Sequence, residues 1–325
     1  MPLLHYIVVG ERSDRPPNDW FSPLAYWRLY PEVRRSSYGA LEHFIRFGRQ
    51  ERRHVTIPSA SSNLYEGSFP AVVPWKRTSR FAVVVHLYFP RGWRRISENL
   101  ACTLPDADVI VTIPDLRSHD LVARSVATSN AKIAAIVRCP NVGRDILPFV
   151  HLVNSGHLDG YDAIVKLHSK RSRHLEDGEI WFEELVDGLL PQGRTQDLID
   201  ALLTHPSAEI AVPKRYLFEG EEWWGRNRDR TIALFQRTAQ GRDIVPLRFA
   251  AGSMFWITSS YVRRIKDLAL CPTQFEIEIG QLDATMAHSL ERLFGMLAGE
   301  DGLISCEALG IETNRQSRFQ MLRRR

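Results

Sequence analysis

The chain has 325 residues, 44% hydrophobic and 25% charged, which is the composition of a globular protein long enough for one large domain or two modest ones without a disulfide or metal scaffold. Lys+Arg 42 against Asp+Glu 38 leaves a formal charge of +4 and excludes a strong polycation, yet 36 of the 42 basic residues are arginine, whose planar donors suit phosphate and carboxylate oxygens. Collagen-like, coiled-coil and wholly disordered readings fail on the same composition.

At the N-terminus, MPLLHYIVVGERSD holds an apolar run with no basic residue before it and no small-residue cleavage pattern after it, so it does not read as a secretory signal. No stretch reaches the roughly 18 apolar residues of a membrane span. These features predict a cytoplasmic protein and leave peripheral association with the inner face of the membrane open. Cys102, Cys139, Cys271 and Cys306 lie 37, 132 and 35 positions apart, so neither a zinc site nor a disulfide framework is signalled.

Residues 1–55 read as a separate helical module. Aromatic and aliphatic residues recur at helical spacing from Phe21 to Leu29 and from Gly39 to Phe47, with Pro31 between them and Gly48 closing the hairpin. Residues 56–79 are rich in Ser, Pro and Gly, lack a sustained period and read as a linker.

From 80 to 310, strands and helices alternate. FAVVVHLY (81–88) is the near-continuous apolar run of a strand covered on both faces. Trp93, Ile96, Leu100 and Leu104 follow at spacings of 3, 4 and 4, which is one face of a helix. DVIVTI (108–113), KIAAIVR (132–138) and YDAIVKL (161–167) complete four strands joined by segments long enough for crossover helices. An α/β fold with a mostly parallel central sheet is therefore predicted, preceded by the small helical module. The second half predicts helices near 179–190 and 195–205, a short strand EIAVP, a charged aromatic loop over 219–230, a strand SMFWIT (253–258) and a long helix over 281–299. The turn HLYFPRGW after the first strand lacks GxGxxG, which removes support for a Rossmann dinucleotide site. Residues 311–325 form a basic tail.

Two clusters fall beyond the carboxyl ends of predicted strands, where a parallel sheet usually presents its ligand site. In CPNVGRDILPF (139–149), Asn141 and Gly143 suit a turn, and Asp145 can accept hydrogen bonds from a ligand or cap the next helix. In YDAIVKLHSKRSRH (161–174), Lys166, His168 and Lys170 alternate and share one face if extension persists. Three converging basic groups repel one another unless an anion sits between them, and a diphosphate suits. On the helix over 281–299, Leu282, Met286, Leu290, Leu293 and Leu297 form a stripe with Asp283 at its border, while His288 and Arg292 lie nearly opposite. In LFEGEEWWGRNRDR (217–230), Trp223 or Trp224 can stack on an apolar sugar face or lie buried beneath the loop. Dispersed basic residues and the absence of a named motif argue against a nucleic-acid partner.

VVVHLYFP, CPNVGRDILPF, YDAIVKLHSKRS, AGSMFWI and GQLDATMAHSLERLFG resemble, in this order over about residues 80–307, the rhamnan synthesis protein F family of bacterial polysaccharide assembly. The N-terminal FSPLAYWRLYPEV and GALEHFIRFGRQERR are similar to a short helical module found beside bacterial glycosyltransferase domains. The resemblance implies a GT-A-like nucleotide-sugar-binding domain. It also implies transfer of a deoxyhexose, L-rhamnose from dTDP-L-rhamnose, with inversion, to a glycan or lipid-linked glycan acceptor. A non-catalytic glycan-binding or scaffold subunit is the alternative.

On this resemblance the donor side comprises His86, Asn141, Arg144, Asp145, Lys166, His168 and Lys170, and the acceptor side Trp223, Trp224, His288 and Arg292. GT-A enzymes usually hold a divalent cation on a DxD motif after the strand entering the donor site. Here that strand leads into Lys166 and His168, so metal-independent binding is expected, with cationic side chains neutralising the leaving diphosphate. Asp283 resembles the acceptor-side acid that receives the acceptor proton, a helix-start carboxylate being the other reading, and Glu276 and Glu278 are competing carboxylates.

Overall fold

The computed structural model describes residues 71–73, 75–114, 120–169, 178–239, 241–276, 281 and 283–312, with 21, 23, 26–27, 30, 32–33 and 37–51 of the N-terminal segment. In that segment α1 (Ala40–His43) runs into a π-helical turn, Phe44–Gly48. Phe21, Tyr26, Val33 and Ala40 form a small apolar core of their own, with the Phe21 and Phe44 rings 5.5 Å apart. Most of the helix expected over Phe21 to Leu29, residues 56–70 of the expected linker and residues 313–325 of the expected tail lie outside the described residues.

The main body is built from β1 (Ala71–Val73), β2 (Phe81–His86), α2 (Arg91–Thr103), β3 (Asp108–Pro114), α3 (Asp120–Ala127), β4 (Ile133–Cys139), α4 (Ile146–Asn154), β5 (Ala163–His168) and α5 (Gly178–Leu189). It continues with α6 (Thr195–Thr204), β6 (Ile210–Val212), β7 (Leu217–Glu219), α7 (Arg228–Thr238), β8 (Arg248–Ala250), β9 (Phe255–Thr258), α8 (Ser259–Asp267), α9 (Met286–Ala298) and β10 (Leu303–Ser305). Among the described residues eight strands form one sheet in the order β1-β4-β3-β2-β5-β9-β6-β10, and β7 and β8 pair separately. β2, β3, β4 and β5 are parallel, as the long crossovers demand. β9 runs antiparallel between β5 and β6, and β1 runs antiparallel to β4 at the edge.

The apolar runs explain the burial. Every residue of β3 and β5 is buried, because helices cover both faces of the sheet. On one face the Phe255 ring meets Phe149 of α4 and Phe294 of α9 at 6.1 and 6.2 Å. On the other, the indole N–H of the next residue, Trp256, donates to the Leu189 carbonyl at the end of α5, 2.7 Å away. The period-2 alternation of β9 thus reads directly as two helical layers.

Two boundaries differ from the sequence expectation. β1 lies inside the expected linker, and the backbone of Thr78 and Ser79 is bound to Asp108, so the sheet domain begins before residue 80. β1 is only three residues long, too short to show a period in a Pro- and Ser-rich setting. α9 starts at Met286 and not near 281, because Thr285 is its N-cap and Ala284 before it has φ +66. The leucine and methionine stripe extends the apparent period one turn too far.

Candidate active site

The polar groups gather at the carboxyl ends of β2, β3 and β5. His86 pairs in register with Thr112 on one side and His168 on the other, and its Nδ1 is 3.0 Å from Thr112 Oγ1. All three residues are buried. His168 Nε2 donates to the Gly252 carbonyl at 2.7 Å. Lys166, 1% exposed, pairs with Asp145, donates to the Ser253 carbonyl at 2.7 Å, and lies 5.6 and 5.7 Å from the ring centres of Phe149 and Phe255. Burial pushes the Asp145 carboxyl up, but His168, Lys166 and His86 outweigh it and hold the group well below the ordinary carboxylate range.

This geometry changes the meaning of the basic cluster. The anion between Lys166 and His168 is Asp145 of the chain itself, 3.9 Å from His168 Nε2, so charge convergence no longer calls for a diphosphate there. Lys166 has its ammonium enclosed by protein. Lys170 and Glu278 lie outside the described residues. A divalent cation does not fit this strand end either: an enclosed ammonium and an imidazole N–H committed to a carbonyl stand where a carboxylate pair would bind one. Among the described residues no group of three or more His, Cys, Asp or Glu is placed to hold a metal ion.

The NVGRD turn makes two consecutive left-handed residues, Gly143 at φ +64 and Arg144 at φ +56. A Cβ on Gly143 would stand 2.6 Å from both Leu147 Cβ and Phe275 Cδ1, so glycine alone fits. Arg144 in that conformation costs about 1–2 kcal/mol. The turn directs its guanidinium across the site: Nη1 donates to His288 Nε2 at 2.8 Å, and Nη2 donates to the Gln281 carbonyl. Asp145 occupies the N-cap position of α4 without a side-chain cap hydrogen bond, because its carboxylate is turned to Lys166. Asn141, half-buried, makes no side-chain hydrogen bond among the described residues.

Asp283 precedes α9 and is not in its first turn. Its Oδ1 accepts from Asn227 Nδ2 at 2.6 Å and its Oδ2 from the Arg226 N–H at 3.0 Å. Burial pushes this carboxyl up, and the hydrogen bonds from Asn227 and from the backbone of Arg226 and Ala284 more than reverse that, leaving it below its ordinary value. Gly225, at φ +54, allows the close approach, since a Cβ there would lie 2.6 Å from Asp283 Oδ2. The carboxylate serving the start of α9 is instead Glu276, which accepts from the Met286 N–H at 2.7 Å and pairs with Arg230 at 2.5 Å.

Of the paired tryptophans, Trp224 is 5% exposed and lies beneath the loop, whereas Trp223 is 41% exposed with its ring 4.3 Å from Phe218. Arg292 donates to the Trp223 carbonyl at 2.9 Å and lies over the Phe249 ring, so it braces this loop and does not face solvent. One participant escaped sequence reasoning. Glu291 Oε1 accepts from the Gly252 N–H at 2.8 Å and thereby holds, from above, the loop that Lys166 and His168 hold from below. Its signal was the spacing of three from His288 on the same helix. A hollow of about 720 Å³, lined in part by Asp159, Glu209, Ser260 and Arg264, lies at the opposite, amino end of β5 and β6.

Residues 63–303 match rhamnan synthesis protein F, and the match takes in the sheet up to the first residue of β10 together with the site residues described above. The chain belongs to the rhamnan synthesis protein F family. Its mixed, mostly parallel sheet flanked by helices is consistent with the GT-A-like fold that the family implies. The chain is also 37% and 36% identical over 162 residues to proteins named "Uncharacterized protein WxcX" from two strains of Xanthomonas campestris pv. campestris. Each alignment covers 50% of this chain and 23% of the relative, so the chain matches about a quarter of those longer proteins.

Proposed function

We propose that the chain is a glycosyltransferase that moves a deoxyhexose, L-rhamnose from dTDP-L-rhamnose, to a surface-polysaccharide acceptor with inversion. Family membership supports the transferase class. The observation that carries the reading is the juxtaposition, at one end of the sheet, of the NVGRD turn and the Asp283 segment, joined through Arg144. His86, Asn141, His168 and Lys170 are the proposed donor contacts, while Asp145 and Lys166 act beneath them as a buried support. Trp223, with its exposed ring, is the proposed acceptor contact.

In the proposed reaction the acceptor hydroxyl oxygen attacks the anomeric carbon, its proton passes to Asp283, and the bond to the leaving nucleoside diphosphate breaks. The hydrogen bonds to Asp283 orient the carboxylate and weaken it as a base, and the three donors leave one of its lone pairs for the acceptor proton. That weakening favours a second reading, a glycan-binding scaffold subunit that retains the fold. A cytoplasmic, peripherally membrane-associated location belongs to the same proposal. Among the described residues no helix is long and apolar enough to cross a membrane. A screen of nucleotide sugars with product-linkage analysis is the test: a rhamnosylated, inverted product supports the first reading, and glycan binding without turnover of any donor supports the second.

A further inference from the structure

Gln281 and residues 283–285, which carry the proposed acceptor carboxylate, belong to neither helix nor strand, so something outside them must fix their position. Asn227 and the Arg226 N–H hold Asp283 from the side of α7. On the other side Arg144 brackets the segment, donating to the carbonyl of Gln281 at its start and to His288 in the first turn of α9 at its end. Arg144 reaches both from a left-handed backbone.

We propose that Arg144 and His288 are a positioning pair that holds Asp283 in register against the donor-side turn. This rests on the glycosyltransferase reading and reassigns Arg144 from donor contact to brace. The chemistry of the pair sets its tautomer. A guanidinium can only donate, so His288 Nε2 must present its lone pair, and the proton must sit on Nδ1. Nδ1 is 2.7 Å from Thr285 Oγ1 and donates to it. The Thr285 N–H, 3.3 Å from the same nitrogen, could bond it only in the other tautomer, which would set the guanidinium N–H at 2.8 Å against an Nε2–H, so the shorter Arg144 contact decides. The Thr285 hydroxyl accepts from the His288 N–H at 3.4 Å and caps α9. Arg144, His288 and the Thr285 cap form one continuous run of contacts from the left-handed turn, two residues along the chain from Asp283.

The pair works only with a neutral imidazole. The groups facing His288 are Arg144 from the turn after β4, Asp283 from the approach, Glu276 from the preceding segment and Arg292 from its own helix. Burial first, then Arg144, pushes its pKa down to about 4, with Asp283 and Glu276 opposing. Acidification toward that value places a proton on Nε2 and sets two cations against each other, which releases the bracket.

The test uses the full chain with ¹⁵N-labelled histidine, the His288 signal being identified by its loss in His288→Gln. The expected spectrum shows the Nδ1–H tautomer at neutral pH and a titration midpoint near 4 that moves up in Arg144→Gln, while staying below the free value because burial remains. An Nε2–H tautomer in the unaltered protein, or an unmoved midpoint, would overturn the pair. Transfer supplies the functional arm. Arg144→Gln should lower single-turnover transfer at saturating donor by about 10- to 100-fold while donor Kd stays within about twofold, because the loss is one of alignment. The double variant with His288→Gln should be no worse than Arg144→Gln alone, and Arg144→Lys should recover part of the rate. Weakened donor binding with an unchanged saturated rate would make Arg144 a donor ligand and sink the proposal. If the unaltered chain transfers nothing from any donor, the glycosyltransferase reading fails, and the tautomer measurement alone then decides for or against the pair.

Discussion

Each end of the sheet holds a carboxylate, fully buried at one and half-buried at the other, and the two ends use it differently. At the amino end Asp108, fully buried, accepts from the Thr78 N–H and hydroxyl at 2.5 and 2.7 Å, the Ser79 N–H at 3.0 Å and the Tyr161 hydroxyl at 2.9 Å. At the same end, across the sheet, Arg242 and Arg264 reach the Leu297 carbonyl at the end of α9, and Glu209 balances Arg264 at 3.1 Å. These contacts close the ends of regular elements. At the carboxyl end Asp145 is met by Lys166 and His168, both from β5, and Arg144, Ser253 and Ala284 all carry positive φ. Three of the four left-handed non-glycine residues among the described residues thus gather at one end, around a charged pair that caps no helix, at a cost in stability, which is the pattern of a site held ready for a ligand.

The sharpest way to break this contrast is to remove one member of the carboxyl-end pair. Lys166→Met leaves the half-buried Asp145 carboxylate without its cation and should cost about 3 kcal/mol in urea unfolding. Adding Asp145→Leu should return much of that stability, because two apolar groups can replace a buried ion pair. Transfer should not return with it, since the Ser253 loop loses its anchor. Recovery of both together would place this pair in the same structural class as Asp108.

Asp283→Asn comes next. Transfer should fall by at least about 10²-fold, a low-end loss for a general base, with donor affinity nearly unchanged in a calorimetric titration. Asp108→Asn, at the other end, should cost about 1–3 kcal/mol of stability through unmatched buried donors and leave transfer per folded molecule intact. If Asp283→Asn behaves like Asp108→Asn, losing stability and keeping turnover, the carboxylate only closes the loop over 225–227.

The parallel half of the sheet was legible in the sequence because each strand there is an apolar run of six or seven residues, long enough to announce itself. β1, β6 and β10 are three residues each, and only the EIAVP run marked one of them. The clustering of Asp145 with Lys166 and His168 was visible as two motifs and invisible as a pair, since nothing in 21 positions of separation says which charges meet. Arg144 shows the limit most clearly. Its place at a strand end was readable, but its direction follows from a left-handed backbone and from a histidine 144 positions away.

Acid should separate the ends in sequence. His288, held near 4 by burial and Arg144, and His151, held near 4 by burial and His157, stay neutral in the fold while the unfolded chain binds protons at about 6.5. The unfolded state therefore binds more protons between those values, and stability falls as pH drops from about 6.5 toward 4. Asp145, Asp283 and Asp108 have depressed folded pKa values, so their contribution is present above about 3.8 and is lost as pH falls below it. Melting temperature against pH should show the histidine decline first, and His288→Gln should remove the carboxyl-end share while leaving that of His151. A flat profile down to pH 4 would remove both imidazoles from the account.

The smallest expected effect is on donor binding in a chelator. At the end of β5 the side chains that would meet a diphosphate-bound cation are instead an ammonium committed to Asp145 and an imidazole committed to the Gly252 carbonyl. A divalent cation at this point would have to displace Lys166 from a wholly buried position, at a desolvation cost that a carboxylate pair would not carry. Calorimetric titration of dTDP with and without excess EDTA should therefore give the same Kd within about twofold, and subsequent Mg²⁺ or Mn²⁺ should not tighten it. Loss of binding on chelation, restored by either ion, would mean that residues outside the β5 end carry the cation. The buried pair would then be a floor beneath a metal-bound diphosphate, and the contrast between the two ends of the sheet would rest on strain and alignment alone.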